Sequence, residues 1–447
     1  MGGFSLVTAL SALAVIGGFT AQNITIVFWL QSSVSSYSVL LLCGLMFASF
    51  FALCALAFAL RTGDWSVFRV SSDPIESRLL LSPLRPSGFR LSHAQILCAA
   101  GACNAFNGIL IVYASSSIRT PPLIQAILQN CNVLFSVPFS KLVLGDTKVY
   151  LAPEPLRAAG VVAASVAVSL APTIAAVAQG RATGGFNGLN SLAWVAVYTA
   201  GLAPAALLAV LQQLYFIRTG ALRQGVTGRE QLRGTLRALM FSNLMQPLVY
   251  VLLFWVDVLP WFGSSADVGD WVAVTRFSLA CSVGGPALAG SMGGAGGSSG
   301  GGGGVCAPAA PVWAWAFIGA YIVAYFGGAA LNRESATFNM LCLVVVTAST
   351  ALVWLIPGVN PESTTTPLWS VLASLALSLG GSWLWKRWEA RTPAEEQFTV
   401  MQGAGDYEHL ERTDALLLLG RQIAGARGGA LQDDGDDKSS YWGSFAE

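Results

Sequence analysis

Residues 37–60 read YSVLLLCGLMFASFFALCALAFAL, with no charged side chain anywhere in the run. A helix rises about 1.5 Å per residue and the hydrocarbon core of a bilayer is about 30 Å thick, so about 20 apolar residues cross it with every backbone group paired internally. This stretch is long enough to span. Working outward from it with the same ruler, further spans are expected over Phe4–Leu30, Ala94–Ser115, Pro122–Leu144, Ala158–Ala178, Leu192–Phe216, Ala238–Leu259, Pro311–Leu331, Ala336–Ile356 and Leu368–Trp388. The chain therefore reads as all-α, a polytopic membrane protein of ten transmembrane helices. Composition agrees: 54% of residues are hydrophobic and 11% charged, against about 25% charged in soluble domains.

The lipid bilayer is the expected surrounding. A net charge of +1 offers no electrostatic footprint for nucleic acid. The 8 cysteines form no CxxC pair and there are only 2 histidines, so no metal-ligand spacing exists and no metal or cofactor is expected. The first span is too long for the apolar region of a signal peptide and is read as a retained helix. Leu6 stands where a myristoylation signal needs Ser or Thr.

Lys and Arg concentrate on cytosolic loops. Of the 24 in the chain, four lie in the tail, Arg119, Arg181 and Arg276 lie on one side of the expected topology, and the other seventeen lie on the opposite side. Both termini are therefore expected in the cytosol. Between the seventh and eighth spans runs a long loop, residues 262–310, with a glycine tract over 293–304. Within it, Gly296, Ser298 and Gly300 match a GxSxG string, but a nucleophile elbow needs a strand-turn-helix setting that a glycine run cannot supply. Upstream, Asp270–Cys281 has an amphipathic pattern suited to the membrane surface. No convergent acid, base, nucleophile or metal set is found, so an enzyme is not expected. Residues 392–447 form an acidic tail expected to be cytosolic and largely disordered; it carries Tyr407-Glu408-His409-Leu410 and Asp414 followed by Leu418-Leu419, strings that resemble vacuolar or endolysosomal sorting signals.

Five spans per half is an odd number, so a duplicated chain would insert its second half from the opposite side, as two inverted five-helix repeats over 1–179 and 180–391 with a site between them. Each half ends on a span rich in small residues: Ala159, Ala163, Ala164, Ala167 and Ala171 in the fifth, Ser370, Ser374, Ser378, Gly380 and Gly381 in the tenth. Such faces permit close approach, either within a monomer or in a homodimer through helices five and ten.

The stretch CNAFNGILIVYASSSIRTPPLIQAILQNCNVLFSVPFSKLVLGD, residues 103–146, resembles the third and fourth helices of chloroquine-resistance-transporter-like proteins of the drug/metabolite transporter superfamily. So do LMFSNLMQPLVYVLLFW (239–255), RFSLAC (276–281) and FNMLCLVVVTAST (338–350), in the expected order. The resemblance implies a secondary transporter that moves an amino acid, a small peptide or a thiol peptide such as glutathione across an endomembrane. It also implies a lumenal disulfide between Cys281 and Cys306, one cysteine at each end of the long loop on the side where disulfides form.

Polar side chains inside a span are costly and usually line a cavity or bridge helices. Asn243, Gln246, Tyr250 and Asp257 fall on one face of the seventh span, and Gln125, Gln129 and Asn132 on one face of the fourth. Asn104 and Asn107 join them from the third, Gln22 and Asn23 from the first, and Asn339, Thr347 and Thr350 from the ninth. The stripes of the fourth and seventh spans are expected to confront each other across a cavity and bind a small-molecule solute. Asp257 is the best placed titratable group: a coupling candidate, or a solvated carboxylate at a helix end. Two other readings stay open. A nucleotide-sugar carrier would want basic residues deep in the cavity, of which Lys141 is the nearest, and a non-transporting receptor or scaffold is compatible with composition.

Overall fold

The structure, a computed structural model of the 447-residue chain, describes residues 6–33, 35–70, 91–116, 119–144, 152–179, 188–219, 227–284, 306–334, 336–356, 359 and 367–391. The chain divides into two units. All described residues belong to the first, Met1–Ile75 with Phe89–Thr392; the second, Glu76–Gly88 with Pro393–Glu447, lies outside them. The glycine tract, its GxSxG string and the tail with its sorting-like strings also lie outside the described residues.

Twelve helices make up the described part: α1 (Leu6–Ser32), α2 (Ser36–Thr62), α3 (His93–Ala114), α4 (Pro122–Leu128), α5 (Cys131–Phe139), α6 (Pro153–Ala178), α7 (Gly188–Arg218), α8 (Gly228–Leu252), α9 (Val268–Ser282), α10 (Ala310–Glu334), α11 (Ala336–Trp354) and α12 (Leu368–Arg391). No strand occurs among the described residues. Seven helices, α1, α2, α3, α6, α7, α10 and α12, are long and apolar enough to cross a membrane. Large apolar side chains such as Leu53, Leu60 and Trp369 face outward, as a lipid-facing surface requires. The protein is a multi-pass membrane protein.

The other three expected spans fall short for identifiable reasons. The fourth is broken at Gln129 and Asn130 into α4 and α5, and a π turn over Ser140–Leu144 follows Pro138, which has no N–H to give the ladder. The seventh, α8, begins with Arg229, Glu230, Arg233 and Arg237 and passes into a 3-10 turn at Phe254–Val258, so its apolar stretch is short. The ninth, α11, is 19 residues long, and its apolar run among the described residues is Cys342–Trp354.

Packing is dominated by α1 against α10, α3 against α7, α6 against α12 and α2 against α8. Close approach is bought with glycine. A Cβ on Gly18 would lie 2.7 Å from the Ala324 backbone nitrogen of α10, and one on Gly381 would lie 2.8 Å from Val162 of α6. The small residues of α12 do face inward: Ser374 donates to the Ser165 carbonyl at 2.7 Å and Ser378 to the Ser165 hydroxyl at 2.9 Å. Those of α6 differ from expectation. Its packing face is Ala158, Val162, Ser165 and Ser169, whereas Ala163, Ala164, Ala167 and Ala171 are exposed, because serine and valine fill the i, i+4, i+7, i+11 positions that α12 covers.

One end of the bundle is closed by α9. Cys281 and Cys306 form a disulfide with Cα atoms 5.4 Å apart, tying the end of α9 to the chain entering α10. Beyond a surface helix, α9 is docked: the Ser278 hydroxyl lies 2.7 Å from that of Ser33 and 2.5 Å from that of Ser38, and Trp29 Nε1 donates to Ser282 at 3.1 Å. At the other end of α2, Gly63 takes the left-handed cap conformation, φ 70°. Beside it, Arg233 pairs with Asp64 at 3.1 Å. Hydrogen bonds from Ser66, with the Arg233 guanidinium, hold the Asp64 carboxyl below the usual carboxylate range.

Candidate functional site

A cavity of two adjoining chambers runs through the bundle. The larger, about 130 Å³, lies among α1, α3, α5, α7, α10 and α11; the smaller, about 100 Å³, among α1, α2, α3, α4, α7, α8 and α10. Phe19, Gln22, Asn23, Asn107, Tyr198 and Tyr325 line both. Among the described residues, no side chain lining either chamber is charged.

The break between α4 and α5 shapes this space. In an unbroken helix Gln125, Gln129 and Asn132 would share one face; here they part. Gln125 is buried in the smaller chamber, where its Nε2 donates to the Ser115 and Thr120 carbonyls at 2.9 and 2.6 Å and so closes the end of α3. Gln129 and Asn132 line the larger chamber. Gln129 exchanges two hydrogen bonds with Asn23, at 2.8 and 3.0 Å, and reaches the Tyr198 hydroxyl at 3.4 Å. Asn23 also donates to Thr350 at 3.4 Å. Asn132 is 5% exposed and its Oδ1 has no partner.

From α3, Asn107 lines both chambers and donates to the Gly201 carbonyl at 2.8 Å. Asn104 donates to the Tyr321 hydroxyl at 3.0 Å and accepts from Tyr325 at 2.5 Å. From α8, Gln246 and Tyr250 line the smaller chamber with Gln125. Asn243 does not reach it: its Nδ2 donates to the Leu239 carbonyl at 2.7 Å, and its Oδ1 receives Gln246 Nε2 at 2.9 Å. Of the two stripes, Gln125, Gln246 and Tyr250 border the smaller chamber together. Gln129 and Asn132 instead meet α1, α7, α10 and α11.

Asp257 differs more. It is fully buried, 0% exposed, and accepts from Tyr113 at 2.7 Å, from Ser265 at 2.7 Å, and from the Ser264 hydroxyl and backbone N–H at 2.9 and 3.3 Å. It is therefore no solvated helix-end group. The 3-10 turn rotates it off the α8 stripe and away from both chambers into a knot that joins the ends of α3 and α8. Arg119 caps the same knot, donating to the Tyr113 and Phe262 carbonyls at 2.8 and 3.1 Å and lying 3.9 Å over the Trp194 ring. Burial lowers the pKa of that guanidinium.

Several lining residues went unread in the sequence. Tyr321, Tyr325, Gly328 and Asn332 of α10 fall at i, i+4, i+7 and i+11, the same helical spacing that singled out α4 and α8; Tyr198 and Gln212 lie a whole number of turns apart on α7. Asn332 donates to Gln212 at 2.9 Å and accepts from Asn339 at 2.9 Å. Lys141, in the π turn, is exposed and lines neither chamber.

No family model and no curated protein matches the chain. A solved structure described only as "Crystal structure of protein" is similar over 83% of this chain and 95% of its own, at 15% identity and a TM-score of 0.40, too slight a likeness to decide the fold.

Proposed function

We propose that the chain is a secondary transporter of the chloroquine-resistance-transporter-like kind, built as ten spans in two inverted five-helix repeats, which moves a small polar organic solute across an endomembrane by alternating access. The solute class is an amino acid, a small peptide or a thiol peptide. The observation that carries the reading is the uncharged, amide- and phenol-lined cavity, which receives side chains from α1 to α5 and from α7, α8, α10 and α11 alike.

The helix pairing supports the repeat. An operation that carries each of the first five spans to the one five later maps α1 to α7, α2 to α8, α3 to α10, α4–α5 to α11 and α6 to α12. Under it, the α1–α10 contact becomes α7–α3 and the α1–α11 contact becomes α7–α5, while α2–α8, α6–α12 and α4–α11 each return to themselves; every one of these pairs is packed. Even the close approaches correspond. Gly18 meets α10, and Gly201 of α7 meets Leu110 and Ile111 of α3. Such folds place the solute between the halves near mid-membrane. Both termini in the cytosol follow from the distribution of Lys and Arg.

Uncharged amides and phenols suit a net-neutral or zwitterionic solute. A nucleotide sugar would bring phosphates into a cavity with no cationic lining group, which burial makes costly. Counterflow into liposomes holding the purified protein, screened across amino acids, small peptides, glutathione and nucleotide sugars, tests the proposal. Saturable exchange of a zwitterion is expected. Flux no greater than in protein-free liposomes for every solute would sink the transporter reading and favour a receptor or scaffold.

A further inference from the structure

Most amides around the cavity are consumed by the protein. Asn23 and Gln129 satisfy each other, Gln125 and Asn107 hold backbone carbonyls, and Gln246 is bound to Asn243. Three amide oxygens are left over: Gln22 Oε1, Asn132 Oδ1 and Asn339 Oδ1 are buried and have no partner. All three residues line the larger chamber, and Asn132 and Asn339 are each 5% exposed. For Asn339 the orientation is tied to a relay, since its Nδ2 donates to Asn332, whose own Nδ2 donates to Gln212. The oxygen is the end without a protein partner.

A buried acceptor without a donor is costly, so three in one chamber amount to a preformed demand for N–H or O–H groups. No carboxylate lines the space, and an isolated cation there would lose its hydration with no counter-charge to replace it. The donor group must therefore arrive with its own anion. Resting on the reading of this cavity as a transport site, we propose that Gln22, Asn132 and Asn339 form the seat of the primary ammonium group of a zwitterionic solute. An ammonium has three N–H donors and no acceptor, which matches three unpaired oxygens. Phe19 and Tyr325 line the same chamber with ring centroids 6.3 Å apart, and present aromatic surface to the charge. A free amino acid and the N-terminus of a short peptide share this chemistry.

The test is an N-methylation ladder, which removes donors one at a time and keeps the zwitterion. Liposomes holding the purified full chain are loaded with alanine in one arm and alanylalanine in the other, and counterflow is competed with the N-methyl, N,N-dimethyl and N,N,N-trimethyl forms of each. The arm that exchanges identifies the source of the ammonium. Potency is expected to fall stepwise, the trimethyl form being weaker than the primary amine by about tenfold or more. Asn132→Leu and Asn339→Leu keep the side-chain size but remove an acceptor, and are expected to flatten the ladder. If these variants fail to reach the membrane, the wild-type ladder decides alone. Trimethyl forms that compete as well as the primary amine overturn the seat and leave the transporter standing, as does saturable flux of hydroxylated solutes such as inositol alone. A ladder that persists undiminished in both Leu variants reports bulk rather than donor count and also overturns it. Absence of saturable flux for every solute overturns the transport reading itself.

Discussion

Two polar clusters in the same bundle are built on opposite principles. Near α9, the Asp257 carboxyl is buried and both of its oxygens are used, by Tyr113, Ser264 and Ser265. In the larger chamber, Asn132 is neutral and its buried oxygen is bonded to nothing. An ionisable residue within a span is the more conspicuous signal in a sequence, yet under the proposed function the satisfied group serves as scaffold and the unsatisfied one is available to a solute. What distinguishes a binding residue from a structural one in this molecule is the unpaired atom, not polarity.

That contrast orders the expected effects of substitution. The largest falls on Asp257→Ala, which leaves the buried Tyr113 and Ser265 hydroxyls and the exposed Ser264 hydroxyl without their acceptor and should cost about 3 kcal/mol or more. The check is the melting temperature of purified protein in detergent; an unchanged value would break the assignment of the knot as scaffold. Next comes Gly18→Ala, whose Cβ would meet the Ala324 backbone at 2.7 Å. A destabilisation of about 1–3 kcal/mol is expected from forcing α1 and α10 apart. Gly201→Ala should act at the matching α3–α7 contact somewhat more mildly: the nearest atom, Leu110 Cβ at 2.9 Å, is fixed to its backbone, but the Ile111 side-chain atoms at 3.1 and 3.2 Å can shift; equal effects would argue that the two approaches do not differ in deformability as the distances imply.

Smaller still is the expected stability change of Asn132→Leu. Removing an unpaired buried amide should leave the melting temperature within about 0.5 kcal/mol of wild type, or raise it, while solute exchange suffers. The smallest effect belongs to Asp64→Asn, at the partly exposed Arg233 pair, worth a few tenths of a kcal/mol, about the value of surface pairs in general. Because the Asp64 pKa is lowered in the fold, its contribution is present above the unfolded carboxylate value and is lost only as pH falls through the folded one. A melting temperature that instead dropped between pH 6 and 8 would contradict this.

The helical, membrane-spanning character was legible because apolar length is set by bilayer thickness, and Tyr37–Leu60 matches α2 within a few residues. The pairing of Cys281 with Cys306 was legible only through the family resemblance. Breaks were not. A period of 3.6 residues carried Asp257 onto the Asn243–Gln246–Tyr250 face, and the 3-10 turn after Leu252 rotates it away. The same period kept Gln125 with Gln129, and the turn at Gln129–Asn130 parts them. Neither break has a proline or glycine at its centre, so the local signal was absent; Pro138 and Pro247 lie nearby and within helix. The α10 stripe of Tyr321, Tyr325 and Asn332 was readable by the same spacing rule, but tyrosine in an apolar span passes easily for an interfacial anchor. Satisfaction of individual oxygens depends on partners more than a hundred residues away, and no local pattern encodes it.

The most direct test measures stability and exchange side by side on one residue from each cluster, using the solute that gives the largest wild-type flux. Tyr113→Phe, which removes a donor from Asp257, should melt lower and exchange solute with unchanged KM. Asn132→Leu should melt with wild type and exchange with a raised KM. If instead Asn132→Leu melts lower with its KM intact while Tyr113→Phe alters KM without changing the melting temperature, the roles of the two clusters are reversed and the account is wrong.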